Sequence, residues 1–365
     1  GAFNIPSGPL VSLPVGSTQL SVVTKDTVVT IFRKEKGSKR VLAAFDKNTG
    51  SLFSYNPREA NILKTPLTPN FTRASTDNDK GGMELILDFM FPIEGVKDLF
   101  YKVFGSSDFS YHSHWSLTGL SQERPPVIKC KKFTTTEVLV GAQYTCTAYC
   151  EVFHAAFGNV LMDVSIVYTV YSSGQIKVSQ KIVPKPALRR LASLSRVGAW
   201  MQLDPSLFSI RYFGRGPGEN YPDRKSGSEM GVWETTVAEM AYLKYIVPGE
   251  NGSRSDCEWI SFRSTNGDGL LVVSDKSLFS CSALPHTAAE LDKAIHTCDL
   301  KPAENGTSPI SVSIDHKLMG VGGDVSWCPA VYPEFLIKPD ESFEYSFILC
   351  PLDHVDDSAV LARSG

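Results

Sequence analysis

The stretch LMDVSIVYTVYSSGQIKVSQKIV, residues 161–183, decides the fold class. Two runs rich in β-branched residues alternate apolar and polar side chains, the period of a half-buried strand. Between them SSGQ, residues 172–175, has the composition of a tight turn, so the unit reads as a hairpin. The theme continues outward on both sides, in QLSVVTKDTVVTIFRKE (19–35), GLLVVSD (269–275), SPISVSID (308–315) and FEYSFILC (343–350). KNTGS, residues 47–51, is a second turn signal. Many short strands joined by polar turns predict an all-β antiparallel sandwich. Helix signals are sparse. TAAELDKAIHTC, residues 287–298, opens on a Thr cap and sets apolar residues at helical spacing. One or two short helices are therefore expected.

The bulk numbers narrow the function classes. The chain has 365 residues, a formal charge of −3 and 21% charged residues, so no basic excess points to nucleic acid or an anionic membrane. No apolar run reaches the ~18 residues of a membrane-spanning helix. GAFNIPSGPL at the start lacks the basic-then-apolar order of a signal peptide. Residues 1–17, with Pro6, Pro9 and Pro14, read as an extended linker cut from something longer. Residues 353–365 read as a flexible polar tail, and 18–352 as one large unit. The eight cysteines include no CxxC. Cys146 and Cys150 would face one side of a strand too far apart to bridge, and the cysteines read as small buried thiols. Sequons at Asn70, Asn251 and Asn305 keep a secretory or lysosomal route open beside the slightly favoured cytoplasm.

Four stretches break the strand rhythm with dense polar chemistry: NFTRASTDND (70–79), GRGPGENYPDR (214–224), YIVPGENGSRSD (245–256) and MGVGGDVSWCP (319–329). Loops on a rigid β scaffold are where binding groups gather. The candidates are Arg73, Asp77, Asn78, Asp79, Glu219, Asn220, Tyr221, Asp223, Arg224, Glu250, Asn251, Asp324 and Trp327. Taken singly, the loop residues are read as structural before ligand-contacting, because buried polar networks often only fix a loop. Asp77 and Asp79, at i and i+2, would share a face in an extended segment as an acid/base pair does. Acceptance of backbone N–H groups in a turn is the stronger reading. Trp327 is the main substrate-contact candidate. It follows a glycine run and precedes Pro329, and an indole is a flat surface for a sugar's apolar face. His112 and His114 in YHSHW read as strand residues on one face, without a third metal ligand nearby. No Gly-x-Ser-x-Gly, P-loop or HExxH motif is present.

In this order and spacing the four stretches resemble the C-terminal domain of the large glycoside hydrolase family 2 β-galactosidases, called the small chain where the enzyme is split. The family pattern runs Asn-Phe-x-Arg-Ala-x-x-Asp-Asn-Asp, Gly-x-Gly-Pro-x-Glu-Asn-Tyr-Pro-Asp-Arg, Tyr-Val-x-Pro-x-Glu-Asn-Gly and Met-Gly-x-Gly-Gly-Asp-Asp-Ser-Trp. The likeness covers roughly residues 20–352, and Val325 stands where the family has a second Asp. The resemblance implies a large supersandwich of the galactose-mutarotase type. It also implies that Trp327 reaches the mouth of an active site. The family hydrolyses β-galactosides with retention, using two glutamates ~5 Å apart. The resemblance places both on a separate (β/α)₈ barrel, which usually also holds Mg and Na. A barrel needs ~250 residues of alternating strand and helix, a pattern this sequence lacks.

The expectation is a non-catalytic part of a β-galactosidase. It would have no catalytic residue, metal or cofactor of its own, and its partners would be the barrel portion and a β-galactoside. The alternatives are a free-standing carbohydrate-binding module and, on fold analogy alone, an aldose 1-epimerase with His112 or His114 as its histidine.

Overall fold

The computed structural model describes residues 18–354 except positions 36, 58–59, 82–109, 140, 190 and 323–330. Its strands form two nine-stranded antiparallel sheets. The first runs β1 (Gln19–Lys25), β2 (Val28–Glu35), β3 (Ser38–Asp46), β4 (Leu52–Tyr55), β5 (Leu63–Asn70), β10 (Arg196–Leu203), β17 (Ile310–Leu318), β16 (Phe279–Leu284), β13 (Arg254–Cys257). The second runs β12 (Glu229–Thr236), β11 (Ser209–Gly216), β14 (Trp259–Arg263), β15 (Gly269–Ser274), β18 (Phe343–Leu352), β9 (Ile176–Pro184), β8 (Val160–Tyr171), β7 (Gln143–Phe153), β6 (Val127–Leu139). The expected large antiparallel sandwich is the observed architecture.

The hairpin that opened the reading is β8–β9, paired from Met162↔Pro184 to Val170↔Ile176. Its turn closes through Tyr171 N donating to Gln175 O at 3.0 Å. Val164, Ile166, Tyr168 and Val170 of β8, with Ile176, Val178 and Ile182 of β9, bury their side chains in one core. Residues 19–35 form the β1–β2 hairpin, with Asp26 at φ +50° in its turn. The sheets lock face to face. The Phe45 ring lies 4.9 Å from that of Tyr168. The Tyr168 hydroxyl donates to Gly50 O at 3.1 Å, and Tyr55 donates to Gly174 O at 2.7 Å. Each aromatic thus buries its ring and still satisfies its polar tip.

Helices are short: α1 (Tyr111–Thr118), α2 (Val237–Met240) and α3 (Ala288–Lys293), with a helical turn at 77–81. α3 starts where Thr287 predicts, with Glu290 completing a capping box, but Ala294 takes extended ψ and the helix stops before residue 298. α1 corrects the strand reading of YHSHW. Ser110 caps it by accepting from Ser113 N at 3.1 Å, and Gly119 closes it in the left-handed conformation. Residues i and i+2 of a helix point apart, so His112 and His114 do not share a face.

GRGPGENYPDR also begins more regularly than its composition suggests, since Gly214–Gly216 end β11. A Cβ at Gly214 would sit 2.5 Å from Cys257 Sγ, and one at Gly216 2.5 Å from the Tyr212 hydroxyl. The glycines serve close packing here. Five described cysteines are buried as expected, whereas Cys298 is exposed and Cys130 half-buried.

Candidate functional site

Sheet pairing brings the polar stretches to one end of the sandwich. The end of β5 pairs with the start of β10 (Asn70↔Gly198), and the start of β10 with the end of β17 (Arg196↔Leu318). The loops at 70–81 and 319–322 therefore emerge side by side. The chain runs through 245–253 into β13 at the edge of the same sheet, where Asn220 Oδ1 accepts from Ser255 N at 2.8 Å.

The floor of this end is a buried ionic network. Arg73 holds Asp79 with two bonds, Nη2 to Oδ1 at 2.6 Å and Nε to Oδ2 at 3.1 Å, both side chains fully buried. The guanidinium also donates to the carbonyl oxygens of Met319 (2.7 Å) and Gly320 (3.0 Å). Asp79 in turn accepts from Thr76 N at 2.9 Å, while Thr76 Oγ1 accepts from Asp79 N at 3.2 Å. This reciprocal cap starts the helical turn at 77–81. Such a forked pair offsets burial of two charges because further bonds to Met319 O, Gly320 O and Thr76 N satisfy most of the remaining polar capacity.

Beside it, Arg196 of β10 donates to Glu250 Oε1 at 2.6 Å and to Thr72 O at 3.2 Å, and its Nε lies 3.0 Å from Asp315 Oδ1. Two carboxylates share one guanidinium. Burial, with Glu250 adding to it, pushes the Asp315 carboxyl up to about 7 despite Arg196. Burial opposes the charge of Arg196, but Asp315 and Glu250 more than offset it and hold its pKa above the usual value.

Above the floor lies an open cleft of about 420 Å³. Asp77, Asn78, Tyr221, Arg224, Lys244, Tyr245 and Glu250 supply its polar lining, and Ile246, Val247 and Val321 its apolar part. Asn78 ties the cleft to the fourth stretch, donating to Val321 O at 2.8 Å. Asp223 ties it again, accepting from Gly322 N at 2.6 Å. A Cβ on Gly320 would fall 2.7 Å from Asp223 Oδ2, so only glycine lets these loops meet. Glu219 accepts from the Tyr245 hydroxyl in a short bond and from Gly252 N at 2.8 Å, with Arg224 Nη2 3.6 Å away. The Tyr221 ring lies under the Arg224 guanidinium at 5.2 Å. Burial, then Glu250 and Glu219, raise the Tyr221 phenol well above its ordinary pKa.

The candidate residues thus separate into two groups. Asp77, Asn78, Tyr221, Arg224 and Glu250 meet at the cleft, although Glu250 is also committed to Arg196. Arg73, Asp79, Asn220 and Asn251 face inward. Asn220 donates to Arg215 O (3.0 Å) and Gly218 O (3.1 Å), and Asn251 bridges Tyr242 N (3.0 Å) to Gly249 O (2.9 Å). Asp77 and Asp79 are not an acid/base pair, because the helical turn exposes the first and buries the second. The buried Asn251 amide is also ill placed for a glycan, unlike the exposed Asn305. Asp324, Val325 and Trp327 lie outside the described residues. His112 is buried and paired with Ser75 Oγ at 2.7 Å. The sequence reading missed Arg196, Asp315 and Tyr245. A strand such as RVGAWMQL, opening on an arginine at a position that must face inward, was the available signal for Arg196.

The match to a family model extends over residues 37–349, and its description is beta galactosidase small chain. The chain belongs to the β-galactosidase small-chain family. β-Galactosidases of Priestia megaterium and Lactococcus lactis are 26% and 30% identical to it over 351 and 334 residues, 93% and 88% of this chain. That of Pseudoalteromonas haloplanktis is 29% identical over 84% of it. This β-galactosidase small-chain homologue spans only 25% to 29% of the length of those three relatives. Among solved structures, a galactose mutarotase related enzyme from Lactobacillus acidophilus overlaps 93% of this chain and 99% of its own, at 9% identity and a TM-score of 0.38. A GalM/aldose epimerase homologue from C. elegans overlaps 92% and 99%, at 7% identity and a TM-score of 0.39. Nothing about function rests on likeness this distant. Among the described residues, no helix is long and apolar enough to cross a membrane.

Proposed function

We propose that the chain is the non-catalytic, C-terminal part of a retaining β-galactosidase of glycoside hydrolase family 2. In this reading the two catalytic glutamates stand on a (β/α)₈ barrel outside the chain, and Trp327 offers its indole to the sugar or aglycone at the active-site mouth. The observation that carries the reading is the family match over residues 37–349, in a chain that matches only 25% to 29% of the length of its β-galactosidase relatives. The geometry supports it as well. The stretch leading to Trp327 is anchored by Arg73, Asn78 and Asp223 beside an open cleft, as a loop presented to a neighbour would be. The magnesium and sodium of this reading belong with the barrel.

Trp327→Ala in the assembled enzyme tests the reading. Loss of one stacked ring should raise KM about tenfold, equivalent to ~1.4 kcal/mol, and leave the melting temperature of this chain unchanged. Unchanged kinetics would remove Trp327 from the mouth.

A free-standing carbohydrate-binding module is the second reading, favoured by the mixed polar and aromatic lining of the cleft. Calorimetry of the isolated chain with galactose and lactose separates the two. Millimolar or tighter binding lost in Trp327→Ala supports the module, and absence of heat supports the subunit.

A further inference from the structure

Beside the cleft, the two segments joined at Thr297 carry exposed apolar side chains. Ile246 is 86% exposed, Ile295 67% and Tyr242 40%. Their two loops are fastened together: Thr297 Oγ1 donates to the carbonyl oxygens of Leu243 at 3.3 Å and Tyr245 at 3.4 Å. Ala241, Ala288 and Leu300 back both loops against a small core of Ala74, Leu284 and Leu291. The rim is therefore a supported surface rather than a loose tip. Ile246 and Tyr221 both line the cleft, and the Tyr221 hydroxyl, although buried, has no hydrogen-bond partner among the described residues. Buried hydroxyls are normally satisfied, and exposed apolar side chains gathered on fastened loops are candidates for a contact.

We propose that this rim is the surface on which the catalytic portion of the enzyme docks, inserting a hydrogen-bonding group toward Tyr221 and covering Tyr242, Ile246 and Ile295. The inference rests on the reading of the chain as part of a β-galactosidase. Two observations select that occupant. Most of the length of the β-galactosidase relatives falls outside the segment this chain matches. The cleft is also continuous with Val321 and Gly322, which lead into the loop assigned to the catalytic mouth, so whatever bears that mouth must stand next to the rim. Lys244 and Arg224 beside Asp77 and Glu250 give the cleft both signs of charge, suited to a polar protein edge rather than to a neutral sugar alone.

The test uses the full chain and the catalytic portion encoded with it, purified separately, with their dissociation constant read by calorimetry. Ile246→Asp with Ile295→Asp should weaken association about a hundredfold, and Tyr221→Phe about tenfold. The melting temperature of the free chain should stay unchanged in the first variant and unchanged or higher in the second, since no intramolecular bond is lost. Association as tight as wild type in both variants overturns the docking surface while leaving the β-galactosidase reading intact. Self-association of the chain, abolished by the same substitutions, assigns the rim to a second copy and overturns it too. Failure of the wild-type chain to bind any encoded catalytic portion overturns the reading and the inference together.

Discussion

The buried floor and the open cleft both draw on the four polar stretches and differ in what their side chains have left to offer. On the floor, Arg73 spends three nitrogens on Asp79, Met319 and Gly320, and Arg196 bridges Glu250, Asp315 and Thr72. In the cleft, Asp77 is exposed, and the buried Tyr221 hydroxyl is unsatisfied among the described residues. Density of charge in a sequence motif therefore marks two opposite uses. One fixes loops to each other at the end of a sandwich, and the other presents a surface. NFTRASTDND shows the division within three residues: Asp79 is sequestered and Asp77 open.

Substitutions should sharpen that contrast in descending order. Arg73→Ala leaves Asp79 charged and buried without its counter-ion, and urea denaturation should show a loss of ~3–5 kcal/mol. A loss under ~1 kcal/mol would mean that Asp79 is solvated after all. Asn220→Ala strands Ser255 N, and the same measurement should register ~1–3 kcal/mol.

The third prediction concerns pH. The Asp315 carboxyl is raised to about 7 in the folded chain, so between about pH 4 and 7 the folded state holds a proton the unfolded chain has released. That contribution to stability is fully present below the unfolded value and is lost as pH rises through about 7. Asp315→Asn should remove a falling slope of up to ~1.4 kcal/mol per pH unit from the stability profile in that window. An identical profile in the variant would show that Asp315 is ionised throughout. The smallest effect belongs to the cleft. Asp77→Ala should change stability by no more than ~0.5 kcal/mol, because nothing in the fold depends on an exposed carboxylate there.

The sandwich was legible because alternation is a local signal: each of 161–170 and 176–183 carries its own inside and outside. The cleft was only half legible. Its residues could be named, but whether Asp77 or Asp79 faced out depended on a reciprocal cap between Thr76 and Asp79 that composition does not announce. Arg196 and Asp315 stayed hidden because they sit inside strands, where their partners come from β10, β17 and the 245–253 loop together. The misreading of His112 and His114 has a plainer cause. Ser110 and Gly119 bracket one short helix, and those caps outweigh the strand propensity of the tyrosine and tryptophan between them.

The account's central claim is that this chain supplies structure and surface to a β-galactosidase whose chemistry is done elsewhere. Hydrolysis of a nitrophenyl β-galactoside by the pure chain, alone and after addition of the catalytic portion encoded with it, tests that claim most directly. The account predicts no turnover by the chain alone and turnover once the two are combined. Sustained hydrolysis by the chain alone, surviving removal of contaminating enzyme, would contradict it.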